Sequence, residues 1–203
     1  MSLKTFVGEA LTDFSTVAAI TPSSKFLAMA MMKPLELEKA HVVLELGAGT
    51  GVITQALLDH LPPTASLLVF EINRPIYECL RQRITDPRAI LINTSVENLE
   101  QELRQRGITR VDAVASSLGL AFMPESKRDE LLQHLSPFLH EGSVFTQYQY
   151  IHGMQFVHGR LQRLNLRPLL HRYFRSVKSH IVWRNLPPAF VFSCHVGRSQ
   201  AIA

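Results

Sequence analysis

Cysteine is nearly absent from this chain of 203 residues: Cys79 and Cys194 stand far apart, with no C-x-x-C pair and no Cys/His ligand spacing. That pattern excludes a disulfide framework and a thiolate zinc site, and a reducing cytosol is the expected compartment. Long hydrophobic runs are lacking as well, since nothing approaches the roughly 18 uninterrupted apolar residues of a spanning helix. Glu9 and Asp13 break the N-terminal apolar stretch, no clean small-residue cleavage site follows it, and no signal peptide is expected. Internal repeats and low-complexity segments are missing. Acidic residues stop at Glu141. Residues 151–203 hold eight basic side chains (Arg160, Arg163, Arg167, Arg172, Arg175, Lys178, Arg184, Arg198) and no Asp or Glu, a charge of +8. Residues 1–150, with 13 basic and 17 acidic side chains, carry −4. An end without carboxylates points to an acidic partner, either anionic lipid headgroups or nucleic acid.

What is present describes an ordinary globular chain, 46% hydrophobic and 19% charged, of a length that fits one domain over 1–203. Leu3, Phe6, Val7, Ala10, Leu11, Phe14, Val17 and Ala18 recur at i, i+3, i+4, i+7, which predicts an amphipathic helix over 3–20. Its polar face is nearly neutral. Such a helix packs on the core, covers a site as a lid, or lies in a membrane interface. A second helix is expected over 25–32, stopped by Lys33-Pro34, so that 1–34 forms a helical segment ahead of a core at 35–203.

The rest alternates. Short apolar strands are expected at 42–44, 66–71, 89–92, 111–116 and 143–150, with helices at 52–60, 75–84, 97–106 and 125–139. A basic helix is expected over 154–164, then a hairpin of strands 178–184 and 189–196 joined by Asn185-Leu186-Pro187-Pro188. A β/α succession with short loops implies a mostly parallel sheet wrapped by helices, closed here by an antiparallel end. Ligands in such sheets bind at the carboxyl ends of the strands. Gly47, Gly49, Gly51, Glu71, Ser95 and Ser116 all fall at such ends.

The glycines sit in Glu45-Leu46-Gly47-Ala48-Gly49-Thr50-Gly51. A dinucleotide fingerprint needs glycine where Val52 stands, and a phosphate loop needs Gly-Lys-Ser/Thr, which is missing. What remains is a turn that lets a ligand approach the backbone and the amides of a helix N-terminus. Glu71, twenty residues after Gly51, is placed for a carboxylate to accept both hydroxyls of a ribose.

The motif E-x-G-x-G-x-G resembles motif I of class I S-adenosylmethionine-dependent methyltransferases. The resemblance implies that Glu45 helps hold the methionine amino group, that Gly47, Gly49 and Gly51 pass under the cofactor, and that Glu71 binds its ribose. It implies a Rossmann-like fold with a mostly parallel seven-stranded sheet and an antiparallel C-terminal hairpin, and S-adenosylhomocysteine as product.

Four further stretches look like bacterial phospholipid N-methyltransferases, which methylate phosphatidylethanolamine. They are Ala19-Ile20-Thr21-Pro22-Ser23-Ser24, the run 111–120, Gln147-Tyr148-Gln149-Tyr150, and the run 182–189. That similarity implies a membrane-associating N-terminal helix, a phospholipid or anionic membrane surface as partner, and a cytoplasmic protein peripheral on the inner face of the membrane. Many relatives carry Gly-Asp after the third strand, the Asp touching adenine, where this chain has Thr94-Ser95. Gly119 stands where proline is frequent. rRNA adenine dimethyltransferases share motif I but follow the fourth strand with Asn and an adjacent aromatic, where this chain reads Ser116-Ser117-Leu118-Gly119. RNA is therefore disfavoured as substrate. A small-molecule amine stays open, as does a non-catalytic lipid-binding role.

Transfer of a methyl group from sulfonium to nitrogen needs a neutral amine aligned in a dry site. A protonated amine must first give up its proton, and the candidates to relay it are Tyr150, Tyr148 and His152. Arg184 and Asn185 are expected to contact a lipid phosphate. The histidines show no ligand spacing and no metal is assigned.

Overall fold

The strand that carries the motif lies inside the sheet, third of its seven strands. The computed structural model describes residues 25–151, 154–157, 160–163 and 165–197. The expected helix over 3–20 and His152 lie outside them. Seven strands form one sheet in the order β3-β2-β1-β4-β5-β9-β8. They are β1 Val42–Leu46, β2 Ser66–Phe70, β3 Ala89–Ile92, β4 Val111–Ser116, β5 Leu139–Tyr150, β8 Ser176–Val182 and β9 Ala189–His195. β1 to β5 pair in parallel, and β9 pairs antiparallel with both β5 and β8. β8 therefore runs with β5, and the carboxyl ends of β1 to β5 and of β8 share one edge.

Helices cover both faces, which is why β1, β2 and β4 read as continuous apolar runs rather than alternating ones. On one side α1 (Lys25–Met32), α2 (Val52–Leu58) and α3 (Arg74–Arg83) deliver Leu27, Met31, Leu57 and Leu80 against Val43, Leu67, Val69 and Ala113. On the other, α4 (Leu99–Gln105), α5 (Glu125–Leu135) and α6 (Arg167–Tyr173) deliver Leu103, Leu131, Leu132 and Leu170 against Leu44, Leu68, Val114 and Phe145. The opposite sheet edge is tied together by Asp112. Its carboxylate accepts the His41 and Val42 N–H groups at 2.8 and 2.9 Å, and His140 Nε2 lies 3.0 Å from it.

Three expectations change. The segment predicted as a basic helix over 154–164 is instead a small separate hairpin, β6 (Met154–Val157) paired with β7 (Arg160–Arg163). Val157 pairs with Arg160, and Gly159 lies between them. A glycine within the stretch weakens the case for a helix there. The helix expected to run to Leu139 ends at Leu135, passes through a 3₁₀ turn at Ser136–Phe138, and yields to β5; Pro137 removes the amide that would continue it. The seven-residue α6, with Pro168 in its first turn, was not anticipated.

Candidate active site

The glycine turn leaves β1 and enters α2 with all three glycines at positive φ, +79° at Gly47, +53° at Gly49 and +80° at Gly51. Two of them constrain the site differently. A Cβ on Gly51 would stand 2.7 Å from Leu80 Cδ2, whereas one on Gly49 would meet nothing within 4 Å. Gly51 is thus demanded by packing, and Gly49 borders open space that a ligand can use. The turn is latched to β2 because the Gly47 and Ala48 N–H groups donate to the Phe70 carbonyl at 2.9 and 3.3 Å.

Glu71, at the tip of β2, completes the latch. Its Oε2 accepts the Gly49 N–H at 2.9 Å and its Oε1 accepts the Asn73 N–H at 2.8 Å. Each carboxylate oxygen keeps a second lone pair, so two hydroxyls can still be accepted. Asn93, which sequence reasoning passed over, donates through Nδ2 to the carbonyls of Glu71 (2.8 Å) and Ile72 (3.2 Å). It fixes the backbone on which the acid rides.

Glu45 lies beneath the turn, fully buried, on the α1/α2 side of β1. Neither carboxylate oxygen has a hydrogen-bond partner, and the Thr54 hydroxyl beside them is unpartnered too. Burial pushes the Glu45 carboxyl up to about 8; the proximity of Thr54 opposes this and Glu71 adds to it. A buried acid with two idle oxygens is costly in isolation. The arrangement makes sense when a cation with N–H donors arrives.

At the ends of β4 and β5, Ser116 and Gln147 are register partners and face one side of the sheet. Gln147 donates through Nε2 to the carbonyls of Leu118 (3.0 Å) and Tyr148 (2.6 Å), which orients its Oε1 as a buried acceptor. That oxygen is unpartnered, as are the Ser116 and Ser117 hydroxyls and the Tyr150 phenol. Tyr148 and Tyr150 project from the opposite face of β5, their rings 5.4 Å apart and edge-on. Burial pushes the Tyr150 phenol up, with Tyr148 opposing. Only the register of the folded sheet reveals the parts played by Ser117 and Gln147. The polar stretch 147–150 is what marks Gln147 in the sequence.

Other expected residues are placed differently. Ser95 lies at the exit of β3, where its hydroxyl accepts the Glu97 N–H at 3.3 Å and caps a 3₁₀ turn; its own proton stays available to a ligand. Asn185 is buried, and its Nδ2 donates to the Pro187 carbonyl at 2.7 Å, inside the turn that contains the cis Leu186–Pro187 bond. Arg184 is exposed and stacks on Phe26 instead of approaching Asn185's turn interior, its guanidinium carbon 4.9 Å from the ring centroid. Among the described residues no three His, Cys, Asp or Glu side chains converge as metal ligands.

A glycine turn latched to an acid at the next strand tip, above a buried acid and at the carboxyl edge of a 3-2-1-4-5-9-8 sheet, defines a nucleoside-binding methyltransferase site. The chain belongs to the class I S-adenosylmethionine-dependent methyltransferases. Residues 43–142 match the family described as "Methyltransferase domain". The chain is 31% identical over 190 residues to an ornithine lipid N-methyltransferase from Singulisphaera acidiphila, covering 93% of each. In fold it resembles precorrin-6y C5,15-methyltransferase from Geobacter metallireducens (TM-score 0.64, 11% identity, 88% and 91% of the two chains). It also resembles the glycopeptide N-methyltransferase MtfA complexed with sinefungin (TM-score 0.62, 15% identity, 88% and 96%). The protein is an S-adenosylmethionine-dependent methyltransferase, and its residues fit that cofactor. The idle Glu45 oxygens suit an ammonium, the Glu71 lone pairs suit vicinal hydroxyls, and the space over Gly49 admits the body of the ligand.

Proposed function

We propose that the chain methylates the primary amine of a membrane lipid headgroup. The observation that carries this reading is the end-to-end similarity to the ornithine lipid N-methyltransferase, which spans 93% of both chains and so extends over the strands and turns outside the cofactor half. The sequence resemblance to phospholipid N-methyltransferases points to phosphatidylethanolamine. Ethanolamine and ornithine headgroups share an aliphatic amine and differ in the anion beside it, a phosphate in one and a carboxylate in the other. Asn185 donates an amide N–H within its turn, and Arg184 is the cation of the pair that a phosphate would meet.

When bound, S-adenosylmethionine supplies an electrophilic methyl group. Glu45 holds the ammonium end of the cofactor site, Glu71 the diol end, and the backbone at Gly49 leaves room between them. Ser95 offers a hydroxyl at the β3 end and Ser116 another at the β4 end. The acceptor amine is oriented by Tyr150, a neutral phenol that burial keeps protonated. A phenol is no strong base, so its task is to hold a neutral amine with its lone pair exposed. Tyr148 buttresses the Tyr150 ring, and His152 stays the candidate to receive the proton. A basic, carboxylate-free C-terminal quarter suits an anionic surface. No described helix is long and apolar enough to cross a membrane, and the protein works as a peripheral one on the cytoplasmic face.

The test is incubation with methyl-labelled cofactor and four acceptors: vesicles containing phosphatidylethanolamine, vesicles containing ornithine lipid, RNA, and small amines. Label in either lipid supports the reading and identifies the headgroup. Label confined to RNA or to small amines rejects it.

A further inference from the structure

Of the seven large apolar side chains exposed among the described residues, four belong to two elements in contact. They are Phe26 (46% exposed) and Met29 (63%) on α1, and Trp183 (71%) and Leu186 (85%) in the β8–β9 turn. Apolar residues exposed singly are ordinary, but a cluster marks a surface that meets something. Leu27, Ala28 and Met31, on the inner side of α1, pack in one cluster with Val182 and Ala189, the residues that flank the turn. Phe26 and Met29, three positions apart, face outward. Arg184 joins the two elements through its stack on Phe26.

The position of this patch matters. Ala189 pairs with Val182 on one side and with Tyr150 on the other. The turn therefore projects from the same sheet edge as the acceptor residues, two strands across from Tyr150. Its charge is equally one-sided. There is no Asp or Glu between Asp13 and Glu36 and none after Glu141, while Lys25, Lys33 and Arg184 are exposed. Apolar tips that include a tryptophan, on segments that carry exposed cations with aliphatic stems and no carboxylates, match the interface of an anionic bilayer. A second copy would set like charges against each other, and RNA offers nothing for Leu186 or Met29 to bury into.

We infer that Phe26, Met29, Trp183 and Leu186, with Arg184 among them, form the face by which the protein docks on an anionic lipid bilayer. The inference rests on the amino-lipid reading above and deepens it. Docked this way, the edge bearing Tyr148 and Tyr150 meets the headgroup layer, so an amine reaches the site without removal of the whole lipid from the membrane.

Trp183 is the only tryptophan in the chain, so fluorescence excited selectively at tryptophan reads this face alone. Titrating the full chain with vesicles of phosphatidylcholine and phosphatidylglycerol should blue-shift the emission and shield it from aqueous quencher, and added salt should weaken both effects. Leu186→Ser and Met29→Ser should each weaken vesicle binding roughly tenfold, with cofactor affinity by calorimetry unchanged as proof of folding. Vesicle binding with unshifted emission would overturn the inference, as would no vesicle binding at all. So would a shift produced by RNA in place of vesicles, or one that depends on protein concentration without vesicles, which would mean self-association. The two proposals separate by substrate form. Leu186→Ser should lose methylation of vesicular lipid and keep methylation of a short-chain amino lipid dispersed in detergent. If neither form is methylated by the wild type while docking persists, the substrate reading fails and the docking face stands.

Discussion

Glu71 Oε2 accepts the Gly49 N–H at 2.9 Å, so the acid at the tip of β2 clamps the turn that leaves β1. The same carboxylate accepts the Asn73 N–H through its other oxygen. Shape of the turn and recognition of the ligand therefore depend on one side chain. Glu71→Gln keeps the volume but replaces one acceptor with an NH₂ that faces a backbone N–H. Losing a charge-assisted acceptor costs about 1.5–3 kcal/mol, or about 10- to 100-fold in affinity. Calorimetry should show cofactor binding weakened by that factor. An unchanged dissociation constant would remove Glu71 from the cofactor site.

Glu45 predicts a pH dependence whose sign is fixed by its shift. The carboxyl titrates at 4.5 when unperturbed and at about 8 in the unliganded fold, so between those values the folded state holds the proton more tightly than the unfolded state. Stability of the cofactor-free protein should consequently fall as pH rises from about 5 to 8, by up to the order of 5 kcal/mol. Glu45→Gln should flatten that slope, raising the melting temperature at pH 8 and changing little at pH 4.5. A cationic ammonium at Glu45 favours the ionised form, so cofactor binding near pH 7 should release a proton. Calorimetry in two buffers of different ionisation enthalpy reads this release, and Glu45→Gln should abolish it. Equal heats in both buffers for the wild type would place the ammonium elsewhere.

The glycines separate packing from binding. Gly51→Ala puts a Cβ 2.7 Å from Leu80 Cδ2 at φ +80° and should destabilise the fold by about 2–3 kcal/mol. Gly49→Ala clashes with nothing in the protein and should cost about 1 kcal/mol of left-handed strain. It should nevertheless weaken the cofactor, because its methyl enters the ligand's space. Thermal melts and calorimetry on both variants test the contrast. A Gly49→Ala protein with full affinity would show that the space above Gly49 is not used.

The parts of this site that were legible in the sequence are those set by neighbours along the chain. Val42 to Leu46 followed by three glycines specifies a buried strand and a turn wherever it occurs, and Glu71 follows from the usual length of a β/α unit. Roles that depend on register could not be assigned from the chain alone. Gln147 matters because β5 aligns it with Ser116, and Asn93 because β3 ends beside Glu71. Asn185 reads in the sequence as a polar ligand in a loop, and the fold adds that it is buried with an amide N–H donated to the Pro187 carbonyl. The hairpin at 154–163 reads as a helix in the sequence because a short amphipathic stretch satisfies both periods. The burial that lifts Glu45 came from the α1 and α2 packing, which no local pattern encodes.

Tyr150 tests whether the acceptor site works by orientation or by base catalysis. Its hydroxyl is buried without a partner, and burial raises its pKa above the ordinary tyrosine value. At neutral pH it is a phenol with an oxygen lone pair to offer, and too weak a base to take the proton of an ammonium. Tyr150→Phe should then lower kcat/KM for the amino lipid by about 10- to 100-fold, the worth of one buried hydrogen bond to a polar substrate, and leave cofactor affinity intact. The wild-type rate should climb with pH as the acceptor amine loses its proton, and the variant should trace the same climb at lower height. A midpoint that moves in Tyr150→Phe would make the phenol a participant in proton transfer; a profile lowered uniformly makes it the residue that aims the amine.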